Sequence, residues 1–162
     1  LQVAGDLGGR VTPLTEYNYA LLYRWWKLLD LVDSRSNYTV TLAGYFYSQT
    51  LNTEGVRYVI AYLREHTRLD PVRNWRWLAH AAWLARHKVK DTALALDVAL
   101  ELENLDVADI PIWTKQLRAF VLADIGDREA ARDLIRAILG SDRNIPKEER
   151  FFMQRFLEER LQ

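Results

Sequence analysis

Between the few glycines and prolines of this chain, apolar residues recur at intervals of three and four rather than two, which is the period of a helix. That pattern predicts eight helices. The first covers about residues 16–32 with Thr15 as N-cap, and its inward stripe is Tyr19, Leu22, Tyr23, Trp26, Leu29 and Val32. The second covers about 38–51, and the third runs from a cap at Thr53 to about residue 69. Asp70-Pro71 is a strong helix start: the Asp carboxylate accepts from free first-turn amides, and Pro loses nothing there by lacking one. The fourth helix therefore lies within 71–89 and the fifth within 91–105. Pro111 opens a sixth that ends at Gly126, Asp127 caps a seventh that ends at Gly140, and the eighth spans about 146–161. No segment alternates as a strand would.

Helices joined by short loops make either a bundle or a stack of hairpins, and a repeat distinguishes the two. Gly44, Ala82 and Ala119 occupy similar places in the second, fourth and sixth helices, 38 and 37 residues apart. A small side chain there lets the partner helix of a hairpin approach closely. The turns at 51–53, 89–91 and 125–127 keep the same phase, and Val56, Ala95 and Ala131 are small or branched packing residues in the helices that follow.

The run Gly126-Asp127-Arg128-Glu129-Ala130-Ala131 resembles the turn and following Ala of a tetratricopeptide repeat, and Asp70-Pro71 resembles the proline that ends one. The order of residues 23–30 (Tyr-Arg-Trp-Trp-Lys-Leu-Leu-Asp), Ala43-Gly44, Asn74-Trp75-Arg76, then Asp91 with Ala95, is similar to bacterial tetratricopeptide-like proteins that carry an N-terminal membrane segment. The resemblance covers about residues 19–139, with an interval longer than the usual 34 residues. It implies an all-α solenoid of about three hairpins with a leading helix and a C-terminal capping helix. The expected division is an extended segment at 1–14 and a helical domain at 15–162. The resemblance also implies a bacterial, membrane-tethered or periplasmic setting with the anchor upstream of Leu1.

Composition narrows the function. With 162 residues, 49% of them apolar, the chain has enough core for one domain. It has no cysteine, which excludes disulfides, thiolate metal sites and a cysteine nucleophile. Its formal charge is zero, against binding nucleic acid through overall charge. No apolar run is long enough to span a bilayer. His80 and His87 are seven apart, about 10 Å along a helix, too far to share a metal, and with His66 they read as structural. Glu101 with Glu103, or Asp30 with Asp33, pair only on paper, because no base or nucleophile approaches them, and no phosphate loop or serine elbow exists. The chain is therefore expected to be no enzyme and to need no cofactor or metal.

Charge is segregated. Residues 57–90 hold eight Arg and Lys against Glu65 and Asp70, while 91–110 hold six acids and no base. Either neighbouring helices cancel these charges, or the surface has a basic and an acidic side that orients a protein partner.

In a tetratricopeptide-like stack, the first helix of each pair lines a groove at positions around the small packing residue. That rule selects Tyr38, Thr41, Tyr45 and Ser48; Arg76, Ala79, Trp83 and Arg86; and Trp113, Gln116, Phe120 and Ala123. Tyr38, Tyr45, Arg76, Trp83, Arg86, Trp113, Gln116 and Phe120 are the side chains suited to an interface, whereas Trp25, Trp26 and Trp75 are assigned to the core. The expected function is a non-catalytic scaffold or adaptor within a larger complex, binding a protein or peptide segment and not nucleic acid. The alternative is a structural subunit that packs permanently through its convex surface with no peptide groove, and such a subunit should expose a large apolar patch.

Overall fold

The computed structural model describes residues 12–141 and 144–161. Among these the chain forms eight helices and no strand. They are α1 (Tyr19–Val32), α2 (37–49), α3 (Thr53–Leu69), α4 (71–89), α5 (Thr92–Glu103), α6 (Trp113–Asp124), α7 (Arg128–Gly140) and α8 (Lys147–Arg160). A short 3₁₀ turn, Leu14–Glu16, precedes α1. The expected extended segment at 1–14 lies largely outside the described residues. No described helix is long and apolar enough to cross a membrane.

Local chemistry sets most boundaries. Asp70, Asp91 and Asp127 each accept from the amide three residues on, at Arg73, Leu94 and Ala130. The amide of Leu94 and the Arg57 guanidinium hold the Asp91 carboxyl below its ordinary pKa. Two caps differ from expectation. Thr15 falls in the 3₁₀ turn, Tyr17 is extended, and Asn18 caps α1 through Leu21 N–H; likewise Asn52, not Thr53, caps α3 through Gly55 N–H. In both places an Asn carboxamide oxygen lies in reach of the first free amides, while the Thr hydroxyl stands three residues earlier at α1 and one residue later at α3. At the other end of α6, Gly126 adopts φ +86°, so that Gly126 N–H reaches the Ala123 carbonyl and Asp127 N–H the Leu122 carbonyl, closing the helix before Asp127 opens the next.

Each helix packs on the next in sequence. Contacts also run between helices two apart. Tyr62 and His66 of α3 meet Asp30 of α1, Tyr45 of α2 meets Trp77 of α4, Arg64 of α3 meets Glu101 of α5, and Phe120 of α6 meets Phe156 of α8. The principal core gathers Tyr19, Trp26, Tyr47, Ile60, Tyr62 and Leu63 with the Ala, Leu and Val side chains of α4 and α5. Smaller clusters join α6, α7 and α8 around Ile135, Met153 and Leu161.

Trp26 and Trp75 are buried as expected, but Trp25 is half exposed and Val32 nearly bare. The cause is helical phase: with Tyr19, Trp26 and Asp30 pointing inward, Trp25 turns roughly a quarter of a turn or more away. On α8, Met153 is buried and Phe156 and Leu157 are partly so, whereas Phe152 stays half exposed.

Charge segregation is largely absorbed inside the molecule. Arg57 pairs with Asp91 (2.8 Å), Arg64 with Asp97 (2.9 Å) and Glu101 (2.6 Å), and Arg68 with Glu101 (2.6 Å), so the basic face of α3 is bound to the acidic face of α5. Arg73 and Arg76 of α4 have no carboxylate within 4.0 Å among the described residues.

Candidate functional site: the ring-lined face of α2 and α4

α2 and α4 share an unusual backbone feature. In each, a turn widens to π geometry, at Leu42–Phe46 and Ala85–Val89. Such turns occur often at functional sites. Gly44 sits within the first of them, where its carbonyl accepts from Ser48 Oγ (2.5 Å) and from His80 Nε2 (2.8 Å). The carbonyl can only accept, so His80 carries its proton on Nε2. A Cβ on Gly44 would lie 3.0 Å from the Trp77 ring and 3.5 Å from His80, so the glycine is what allows α4 to come this close. The small residue read from the sequence as a packing position thus seats two rings of the site.

From this contact a continuous array of rings runs along the face. Tyr45 lies 5.4 Å from Trp77 and 5.0 Å from His80; His80 stacks on Trp83 at 6.0 Å with an interplanar angle of 4°; Trp83 lies 5.2 Å from His87. Tyr45 and Trp83 are about half exposed and Tyr38, on the same helix as Tyr45, more so. Beside Tyr45 and Trp77 opens a cleft of about 310 Å³, lined also by Asn37, Thr41, Arg73 and Arg76. Arg76 lies 4.6 Å over the Trp75 ring.

Of the eight side chains expected to line a groove, Tyr38, Tyr45, Arg76 and Trp83 belong to this exposed α2–α4 face. Arg86 is on the same helix, but its guanidinium is engaged by Asp124 of α6 through Nε (2.5 Å) and Nη2 (3.0 Å). Trp113, Gln116 and Phe120 form a separate group under α8. Gln116 is buried and donates to Glu149 (2.7 Å), Phe120 packs on Phe152 and Phe156, and Trp113 lies against Trp75. Sequence reasoning missed Arg73, Trp77 and the two histidines as members of the face. Trp77 and His80 sit three apart and His80 and Trp83 three apart, a helical-face signal that was present in the sequence.

A second cluster of titratable groups lies between α1 and α3. Asp30, His66 and Tyr62 are buried, with Tyr62 donating to Asp30 Oδ1 (3.0 Å) and His66 Nδ1 to Oδ2 (2.9 Å). Burial first, then the Asp30 charge and hydrogen bond, raise the Tyr62 pKa, so the phenol keeps its proton and donates. Next to them Glu65 accepts from Tyr23 and pairs with Lys27 (3.3 Å), beside a pocket of about 320 Å³. Every carboxylate oxygen of Asp30 and Glu65 is taken, and among the described residues no Ser, Thr or Lys hydrogen-bonds the His66 ring. A cavity of about 530 Å³ between the 107–113 loop and the start of α8 is lined by Asp109 and Glu149, and its lining holds no His, Lys, Ser or Thr.

No protein-family model, curated protein or solved structure matches this chain. Aromatic and imidazole rings beside two guanidiniums that have no carboxylate partner among the described residues suit stacking against aromatic or planar groups and fork-like capture of carboxylates.

Burial lowers the His80 pKa from its ordinary 6.5, and the bond to Gly44 opposes the shift only in part. In the unfolded chain the ring protonates first, so its contribution to stability is complete above about pH 6.5 and is lost as pH falls through the lower folded value. A His80→Gln chain keeps an N–H donor for Gly44 and does not titrate. Its melting temperature is expected to fall less than that of the parent between about pH 7.5 and 5.5, and equal losses would show that His80 is not the titrating group.

Proposed function

We propose that this chain is a non-catalytic protein-interaction scaffold, a stack of helical hairpins of the tetratricopeptide-like kind that serves as an accessory component of a larger assembly. The arrangement is supported by the contacts between helices two apart, in which even-numbered helices neighbour one another and odd-numbered helices do the same. The observation that carries the binding role is the ring array Trp77–Tyr45–His80–Trp83–His87, in which Tyr45, Trp83 and His87 are exposed and Trp77 and His80 partly so, ending at Arg73 and Arg76, which have no carboxylate partner among the described residues. Rings used only for packing would be covered, and guanidiniums used only for stability would find the acids that Arg57, Arg64, Arg68 and Arg86 find.

The ligand this face fits is a protein segment carrying acidic and aromatic residues. A carboxylate takes the Arg73–Arg76 end and a ring stacks on Trp83 or Tyr45. Fluorescein-labelled peptides of equal length, rich in Glu and Phe, in Glu alone, or in Lys and Phe, test this by anisotropy. Only the first should bind well. Arg73→Glu with Arg76→Glu, or Trp83→Ala, should each weaken it about tenfold or more while leaving the melting temperature nearly unchanged. Binding that survives the charge reversal would end this reading.

A second reading, a subunit that packs permanently through its outer surface, draws support from one observation. The outward side of α1 is apolar and exposed, as such a subunit requires.

A further inference from the structure

Eleven of the fourteen residues of α1 are apolar, and they occupy its outer as well as its inner side; an apolar helix face is ordinarily covered. Its inner side packs on α2 and α3 through Tyr19, Trp26 and Asp30. Its outer side carries Leu21 (49% exposed), Trp25 (50%), Leu28 (47%) and Val32 (79%), with Leu31 (84%) beside them. Arg24 is the charged side chain that shares this outward face.

We propose that a second copy of this chain covers the face, α1 packing antiparallel against α1 across a two-fold axis. The intervals from Leu21 to Trp25, Leu28 and Val32 are four, three and four, the seam along which two helices interlock. A two-fold interface must be complementary to itself. With the axis midway between Trp25 and Leu28, Trp25 meets Leu28 of the second copy and Leu21 meets Val32, so the large ring faces a smaller side chain and every seam position faces an apolar one. The two Arg24 side chains sit five residues apart along the paired helices, about 7 Å, so their guanidiniums can diverge into water and their stems can lie along Leu31.

The exposed apolar surface supports the same conclusion. At about 200 Å² for a whole side chain of this size, these residues with Leu29 (36% exposed) leave on the order of 600 Å² bare per copy, at the top of what monomers show. A stable interface takes about 800 Å² per partner, so this face, somewhat smaller, suits a reversible dimer. A lipid surface fits less well. Membrane-lying helices flank their apolar face with several Lys and Arg, whereas here Lys27 is engaged by Glu65 and Arg24 stands alone on the face.

Sedimentation velocity from micromolar to near-millimolar protein tests the proposal. The parent chain should pass from monomer to dimer, while Trp25→Glu and, separately, Leu28→Lys should remain monomeric with unchanged circular dichroism and melting. The natural sequence has no cysteine, so Leu21→Cys combined with Val32→Cys should give a covalent dimer on mild oxidation, and Leu21→Cys alone should not, because the two 21 positions lie about 16 Å apart along the seam. A parent that stays monomeric throughout overturns the proposal. So do charged variants that still dimerise, equal cross-linking by the single-cysteine chain, or a monomer that binds anionic phosphatidylserine vesicles through Trp25.

Discussion

Asp30→Ala is expected to lower the melting temperature by roughly 10 °C, the largest single effect outside the apolar core. The carboxylate is 8% exposed and both its oxygens are in use, by Tyr62 at 3.0 Å and His66 at 2.9 Å. Truncation leaves a phenol and an imidazole N–H buried without an acceptor, in a place where His66 Nε2 already has no partner. Removing one member of such a pair costs about 3–5 kcal/mol, and a chain of this size loses about 2–4 °C for each. The interpretation has an internal control. Asp30→Leu, Tyr62→Phe and His66→Leu together remove every orphaned group and should recover most of the loss, since buried polar sets are often replaceable by apolar ones. A single Asp30→Ala chain that melts within a few degrees of the parent would show that water reaches the cluster and that it carries little stability.

Gly55→Ala sets two effects against each other. Gly55 lies in the first turn of α3, where Ala is the better helix former by about 0.5–1 kcal/mol. The added methyl would, however, lie 2.7–2.9 Å from ring atoms of Tyr19. That ring cannot swing aside easily. It is buried, its hydroxyl donates to the Tyr47 carbonyl (3.1 Å), and it makes a T-shaped contact with the Tyr47 ring at 6.4 Å. Forcing α1 and α3 apart costs about 1–3 kcal/mol, so the clash should outweigh the propensity gain and leave a net loss of about 1–2 kcal/mol. Thermal or urea denaturation reads it directly. A Gly55→Ala chain that is more stable than the parent would mean that α1 docks loosely on α3.

The two effects show how unevenly the molecule could be read from its residues. Asp70, Asp91 and Asp127 were legible as caps because capping depends only on a carboxylate and the amides of the next turn. Asn18 and Asn52 do the same work where Thr15 and Thr53 were the candidates, and the choice between them depends on where the incoming chain bends. The charge segregation was legible as a pattern but not as a consequence. Only the adjacency of α3 and α5 turns Arg64 and Arg68 toward Glu101, and only the adjacency of α4 and α6 removes Arg86 from the set of free cations. Asp30 and His66 are 36 residues apart, and nothing local signals that they meet.

The sequence by itself determined that this chain is helical, how many helices its described residues form and nearly where each begins and ends, because periodicity, capping and glycine termination are properties of neighbouring residues. Tertiary structure decided which side of each helix is covered. α1 carries apolar residues on its outer as well as its inner side and gives no local sign of which stripe will face the core, so Trp26 is buried and Trp25 is not. Tertiary structure also decided which charges pair inside the molecule, as Arg64 and Arg86 do, and which, like Arg73 and Arg76, find no carboxylate among the described residues, since pairing depends on distances between helices that no local pattern encodes.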